Sequence, residues 1–171
     1  AKSVVVGGVS GIGAAVAERQ RASGADVLVW DVADGADVRC DIADPEQIDA
    51  AAQATLDRFG TPTMVTVTAG IGHSGMLLDL PAGEWDRIMG INARGVWLVL
   101  RALARPMINT GGGSIVAVSS VSAELVDRSM GLYCASKAAL DMVIKVAAAE
   151  WAPALRVNGI APGVTDTPML G

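Results

Sequence analysis

Tyrosine, phenylalanine and histidine occur once each, as Tyr133, Phe59 and His73, and there are only two cysteines, Cys40 and Cys134. Two cysteines, one histidine and no clustered ligand spacing argue against a metal site. The cysteines form neither a C-x-x-C pair nor a disulfide framework, so a reducing, cytoplasmic setting is expected. Basic runs are also absent. Thirteen Lys+Arg against 18 Asp+Glu leave a net charge of −5, which argues against nucleic acid or an anionic membrane surface as a partner. No apolar run reaches ~18 residues, so no transmembrane helix is expected. The chain opens Ala1-Lys2-Ser3 directly into a strand-like run, without a signal-peptide pattern. Any chemistry that needs a phenol falls to Tyr133.

What is present is apolar and rich in glycine: 51% hydrophobic, 18% charged and 20 Gly in 171 residues, a composition that excludes disorder. The length predicts a single domain over residues 1–171. Strands are expected at Val4–Val6, Val27–Trp30, Val38–Cys40, Met64–Val67, Ser114–Val118 and Leu155–Ile160. Helices are expected over Ile12–Ser23, from Asp44-Pro45 to Gly60, over Glu84–Ile108 with a bend at Gly90 and Gly95, and over Gly131–Trp151. Only Asp31 to Asp37 join the second and third strands, too few for a helical crossover. Apolar strands alternating with helices predict a doubly wound, Rossmann-like α/β sheet, parallel and covered on both faces.

The first strand–turn–helix reads Gly7-Gly8-Val9-Ser10-Gly11-Ile12-Gly13. Glycines there let the backbone approach a pyrophosphate, and the following helix turns its free N–H groups toward that anion. No phosphate-binding Lys-Ser/Thr follows, which disfavours a nucleoside triphosphate. Asp31 ends the second strand 18 residues after Gly13, where a carboxylate receives the adenosine ribose hydroxyls and repels a 2′-phosphate. NAD is therefore favoured over NADP. Tyr133 and Lys137 stand four apart on one helical face. A phenol, with an ordinary pKa near ~10, needs a neighbouring cation to act as a base near neutral pH. Ser120, at a strand's carboxyl end 13 residues before Tyr133, offers a hydroxyl for a substrate oxygen. Asn92 offers a polar relay inside a helix.

Taken together, these residues resemble the short-chain dehydrogenase/reductase family over essentially the whole chain. Gly7-x-x-x-Gly11-x-Gly13, with Ser10 and Ile12 inside it, resembles the family's cofactor loop. Asn92, Ser120, Tyr133 and Lys137 match its catalytic tetrad in order and spacing, and Asp41-Ile42 its adenine-contacting pair. Thr68-Ala69-Gly70 stands where the family has Asn-Ala-Gly. Asn158 followed by Pro162-Gly163-Val164-Thr165-Asp166-Thr167 resembles the segment that covers the nicotinamide. The resemblance implies an NAD-dependent oxidoreductase interconverting a secondary alcohol and a ketone. It casts Tyr133 as acid–base, Lys137 on the nicotinamide ribose, Ser120 orienting the substrate and Asn92 holding a water in a proton relay. It also implies a homodimer or homotetramer through the two long helices. A catalytically idle NAD-binding module is the rival expectation.

The sequence departs from the family at Val6, where a Thr steadies the loop, and at Val67, where an Asn stands. Family members usually continue past the position of Gly171 through a lid, a helix and a seventh strand, so a short form or a piece of a longer protein is expected. His73, just after Ala69-Gly70, is expected to line a loop near the pocket mouth rather than to catalyse. Met76, Leu77, Leu78, Leu125 and Val126, in the loops on either side of the pocket, suggest a substrate with an apolar body.

Overall fold

A computed structural model describes residues 1–169; Leu170 and Gly171, the end of the expected domain, lie outside them. Six parallel strands form one sheet: β1 (Lys2–Val6), β2 (Asp26–Asp31), β3 (Val38–Arg39), β4 (Met64–Val67), β5 (Gly113–Val118) and β6 (Leu155–Ile160). Their order is β3-β2-β1-β4-β5-β6. Helices α1 (Gly11–Ala22), α2 (Pro45–Phe59), α3 (Ala82–Met89), α4 (Val96–Asn109) and α5 (Gly131–Trp151) link them. This is the Rossmann-like arrangement expected from the alternating pattern. The winding reverses between β1 and β4, which opens a crevice at the carboxyl ends of those strands.

Period-two alternation decides which side chains enter the main core. Val4 and Val6, Leu28 and Trp30, and Val65 and Val67 pack with Ile48 of α2, Leu100 of α4 and Leu140 of α5. On the opposite face Val5 and Val29 pack on Ala17 of α1. Over β1 and β2 the expected cover on both faces is present. Over β4, β5 and β6 the α1 side is a groove of about 340 Å³ lined by Thr66, Ser114, Val116 and Arg156. Thr, Ser and Arg alternate there with core residues, so the run that reads as buried on both faces is polar on one.

Local signals place the element ends. Asp44 caps α2, accepting from the Glu46 N–H at 2.9 Å; Pro45 follows, and Gly60 at φ 77° ends the helix. No helix joins β2 to β3, as the short link requires. Asp37 instead bends back so that its Oδ2 accepts from the Val29 N–H at 2.8 Å, which the two-residue β3 does not reach. The long helix over 84–108 is not simply bent: α3 and α4 are joined by a π-helical turn, Gly90–Gly95. Among the described residues no helix is long and apolar enough to cross a membrane.

Candidate functional site

The crevice between β1 and β4 is a cleft of about 360 Å³. Gly7, Ser10, Gly11, Ile12 and Gly13 form its floor. Gly7 sits at φ 79°, and a Cβ on Gly13 would overlap the Gly7 carbonyl oxygen, so the turn closes only with glycine at both positions. Ser10 opens α1 without a side-chain cap, which leaves the first N–H groups of the helix free to face an anion. Thr68 donates its hydroxyl to the Val6 and Gly7 carbonyls, each at 2.9 Å, and so ties the loop to the end of β4. A cradle of this kind, which a Cβ would fill, fits a dinucleotide.

One wall of the cleft is formed by Asp31, Asp41 and Ile42, with Cys40 and Val32 beside them; Ala69, Gly70 and Thr167 close the other side. Asp31 Oδ2 accepts from the Val9 N–H at 3.0 Å and Oδ1 from the Ala33 N–H at 3.1 Å, so the carboxylate braces the loop it borders. Arg39 pairs in register with Asp31. Its guanidinium lies 3.5 Å from Asp34, and both side chains are exposed. The sequence placed neither Cys40 nor Arg39 beside the cofactor loop. Their signal is position at the carboxyl end of β3, which the short link brings beside β2. Burial, and then the charges of Asp41 and Asp44, push the Cys40 thiol up to about 11, so it stays protonated at neutral pH.

The second cluster lies where β5 meets α5. Tyr133 and Lys137 rise from α5, with the Lys137 ammonium 5.7 Å from the Tyr133 ring centre. Lys137 Nζ donates to the Val118 carbonyl at 3.1 Å, and the Ser119 hydroxyl lies 3.4 Å from the Lys137 carbonyl. Ser120, next along, is buried, and its Oγ accepts from the Ser122 N–H at 3.1 Å. Burial pulls the Lys137 pKa down to about 8, against a smaller upward pull from Asp141. Gly70 joins the two clusters: a Cβ there would stand 3.2 Å from Asn92 Oδ1 and 3.5 Å from Lys137 Nζ.

Asn92, on the π-helical turn, is fully buried. Its Oδ1 accepts from the Ile71 N–H at 2.8 Å; its Nδ2 donates to the Ile71 carbonyl at 2.9 Å and to Ser136 Oγ at 3.1 Å. Ser136 Oγ donates in turn to the Tyr133 carbonyl at 2.7 Å. The Asn92 amide thus joins the loop after β4 to the helix that carries Tyr133. Ser136 was not anticipated; its only trace in the sequence is its place between Tyr133 and Lys137. Pro162, Gly163, Val164 and Thr165 do not line the cleft. They run along the surface, with Val164 94% exposed, anchored where the Val121 N–H donates to the Pro162 carbonyl at 3.0 Å. His73 is not open at the mouth but folded onto Glu84, with Nδ1 3.1 Å from Oε2. Among the described residues no cluster of His, Cys, Asp or Glu is arranged to hold a metal ion.

This combination of cleft and cluster agrees with what the chain is similar to. The profile of the enoyl-(acyl carrier protein) reductase family matches residues 7–171. The D-threitol dehydrogenase of Mycolicibacterium smegmatis is 34% identical over 96% of this chain and 70% of its own length. A 3-alpha-(or 20-beta)-hydroxysteroid dehydrogenase of Mycobacterium bovis is 34% identical over 98% of this chain and 70% of its own. The solved aldohexose dehydrogenase of Thermoplasma acidophilum superposes with a TM-score of 0.95 at 31% identity, covering 99% of this chain and 68% of that one. A short-chain type dehydrogenase/reductase from Mycobacterium marinum gives 0.94 at 30%, covering 99% and 74%. The chain belongs to the short-chain dehydrogenase/reductase family, and the relatives named are dehydrogenases, oxidoreductases acting on CH–OH groups.

Proposed function

We propose that the chain is an NAD-dependent dehydrogenase that interconverts a secondary alcohol and a ketone, with Tyr133 as the acid–base group. The observation that carries this reading is the placement of Lys137: its ammonium lies 5.7 Å from the Tyr133 ring centre, donates to the Val118 carbonyl at the end of β5, and comes close to Gly70, which borders the glycine-floored cleft. A bound dinucleotide supplies the hydride acceptor or donor. The loop Gly7–Gly13 and the amino end of α1 hold its pyrophosphate, and Asp31 holds the adenosine ribose. Asp31 favours NAD by repelling a 2′-phosphate, and the nearby Arg39 is turned to Asp34. Asp41 and Ile42 border the adenine.

Tyr133 passes its phenolic proton to the substrate oxygen in reduction and takes one in oxidation. Lys137 stands beside the Tyr133 ring, with its ammonium 5.7 Å from the ring centre, and would hold the nicotinamide ribose. Ser120 orients the substrate oxygen, and Asn92 with Ser136 fixes the backbone that carries Tyr133. The test follows NADH absorbance with a panel of secondary alcohols and ketones, alongside direct binding of NAD and NADP. Turnover with tighter NAD binding is expected. Tighter NADP binding overturns the cofactor assignment, and NAD binding without turnover favours the idle module.

We further propose that the chain forms a homodimer or homotetramer through α4 and α5. Trp97 on α4, and Met142 and Val146 on α5, are 40%, 59% and 45% exposed. Leu140 and Ile144 of α5 are buried in the core and take no part.

A further inference from the structure

His73, the one histidine, has no part in the reading above. Its side chain is 9% exposed, and Nδ1 is bound to Glu84. Nε2 is buried and meets no hydrogen-bond partner. Arg87 donates to Glu84 at 3.0 and 2.8 Å, and those bonds hold the Glu84 carboxyl below its ordinary range, so His73 faces a carboxylate. A buried ring nitrogen without a partner is costly, and an aliphatic side chain would fill the space without that cost. What the imidazole adds is its bond to Glu84, which fastens the loop over residues 71–80 to α3.

That loop lies across the first turn of α5. Its root, Ile71, is gripped through both N–H and carbonyl by Asn92. At its middle the Gly75 N–H donates to the Ser129 carbonyl at 2.6 Å. The Leu77 side chain fills the space that a Cβ on Gly131 would need, with Cδ2 2.7 Å from that position. Gly131 opens α5 two residues before Tyr133. His73 supports the turn from inside: a Cβ on Gly75 would stand 3.2 Å from Nε2.

We propose that His73 is a positioning residue for Tyr133: pinned to Glu84, it holds the 71–80 loop as a strap over the start of α5 and so sets the phenol against the substrate. This rests on the assignment of Tyr133 as the acid–base group. Of the strap residues, Ile71 lines the cofactor cleft among the described residues, so losing the pin disturbs substrate alignment and leaves cofactor binding alone.

The test compares His73→Leu with His73→Asn, whose amide nitrogen reaches the place of Nδ1, and adds Glu84→Gln in case the leucine variant folds poorly. In His73→Leu, amide hydrogen exchange is expected to quicken at Gly75 and Cys134 but not at Ala14 in α1. kcat for the alcohol falls by about tenfold to a hundredfold while KM changes little, as a small misplacement of reacting groups can cause. The dissociation constant for NAD and the melting temperature stay near wild type, His73→Asn restores most of the loss, and Glu84→Gln falls between. Unchanged exchange at Gly75 in His73→Leu overturns the proposal, as does faster exchange with unaltered kcat and KM. A wild-type chain that binds NAD but turns over no alcohol overturns the dehydrogenase assignment and this use of His73 with it; the exchange comparison then shows separately whether His73 holds the strap.

Discussion

Lys137 carries its charge where the fold would be more stable without it. Burial lowers its pKa from 10.5 to about 8, a shift that costs the charged folded state about 3 kcal/mol. Below pH 8 both folded and unfolded chains hold the proton, and the full penalty applies. Between 8 and 10.5 the unfolded chain binds more protons, so stability rises with pH. Lys137→Met is therefore expected to unfold at higher denaturant concentration than wild type at pH 7, with the gap closing by pH 10, and to lose turnover. A variant less stable than wild type at pH 7 would mean that the bond to the Val118 carbonyl outweighs desolvation. Tyr133→Phe keeps the ring and removes only the hydroxyl. With no second tyrosine to substitute, turnover should fall by ~10²–10⁴ while NAD still binds, checked by steady-state rates and cofactor titration. Residues of this sort are legible in sequence because their chemistry is rare and their spacing rigid. Ser136 and the fastening of His73 are not, because a serine in a helix or a lone histidine has no meaning until Asn92 and Glu84 stand opposite.

At the scale of elements, the glycine loop depends on a residue outside it. From the end of β4, Thr68 donates to the carbonyls of Val6, the last residue of β1, and Gly7, the first of the loop. Thr68→Val keeps the shape and removes the donor. It is expected to cost about 1 kcal/mol of stability and to weaken NAD binding more than alcohol binding, read by denaturant titration and by the two affinities. Unaltered NAD affinity would show that the loop holds its shape by glycine alone. Strands β4 and β6 and helix α5 begin and end where the sequence pattern puts them, because glycine, proline and β-branched runs punctuate them locally. The π-helical turn was not legible in that way. Its extra backbone width arises in a stretch that docks against distant chain: Asn92 on Ile71, and Gly95 so close to the Ile42 carbonyl that a Cβ would overlap it. No pattern within residues 84–108 encodes those partners. The same limit explains the open groove beside α1, since alternation in β5 and β6 marks one buried face without saying what covers the other.

At the scale of the molecule, the proposed catalytic group Tyr133 and the proposed contact between copies share helix α5. The buried side of α5 carries Leu140, Ile144 and Ala147 into the core; Met142 and Val146 of the same helix are exposed, as is Trp97 of α4. Arg101 lies 5.2 Å from the centre of the Trp97 ring, an aromatic–cation pair of the kind that anchors interfaces when desolvated. A two-fold axis across α4 and α5 would set these patches against themselves, a self-complementary surface that closes without leaving a free copy. The pairing would also stiffen the helix from which Tyr133 and Lys137 project. Replacing both Met142 and Val146 with glutamate puts four carboxylates into such a contact. Light scattering at micromolar concentration should find the wild type as a dimer or tetramer and the double variant as a monomer that still binds NAD, because neither side chain approaches the cleft. Its turnover should drop further than its NAD affinity if pairing steadies α5. A wild-type monomer at that concentration would refute the contact, and a double variant that stayed associated would move it to another face.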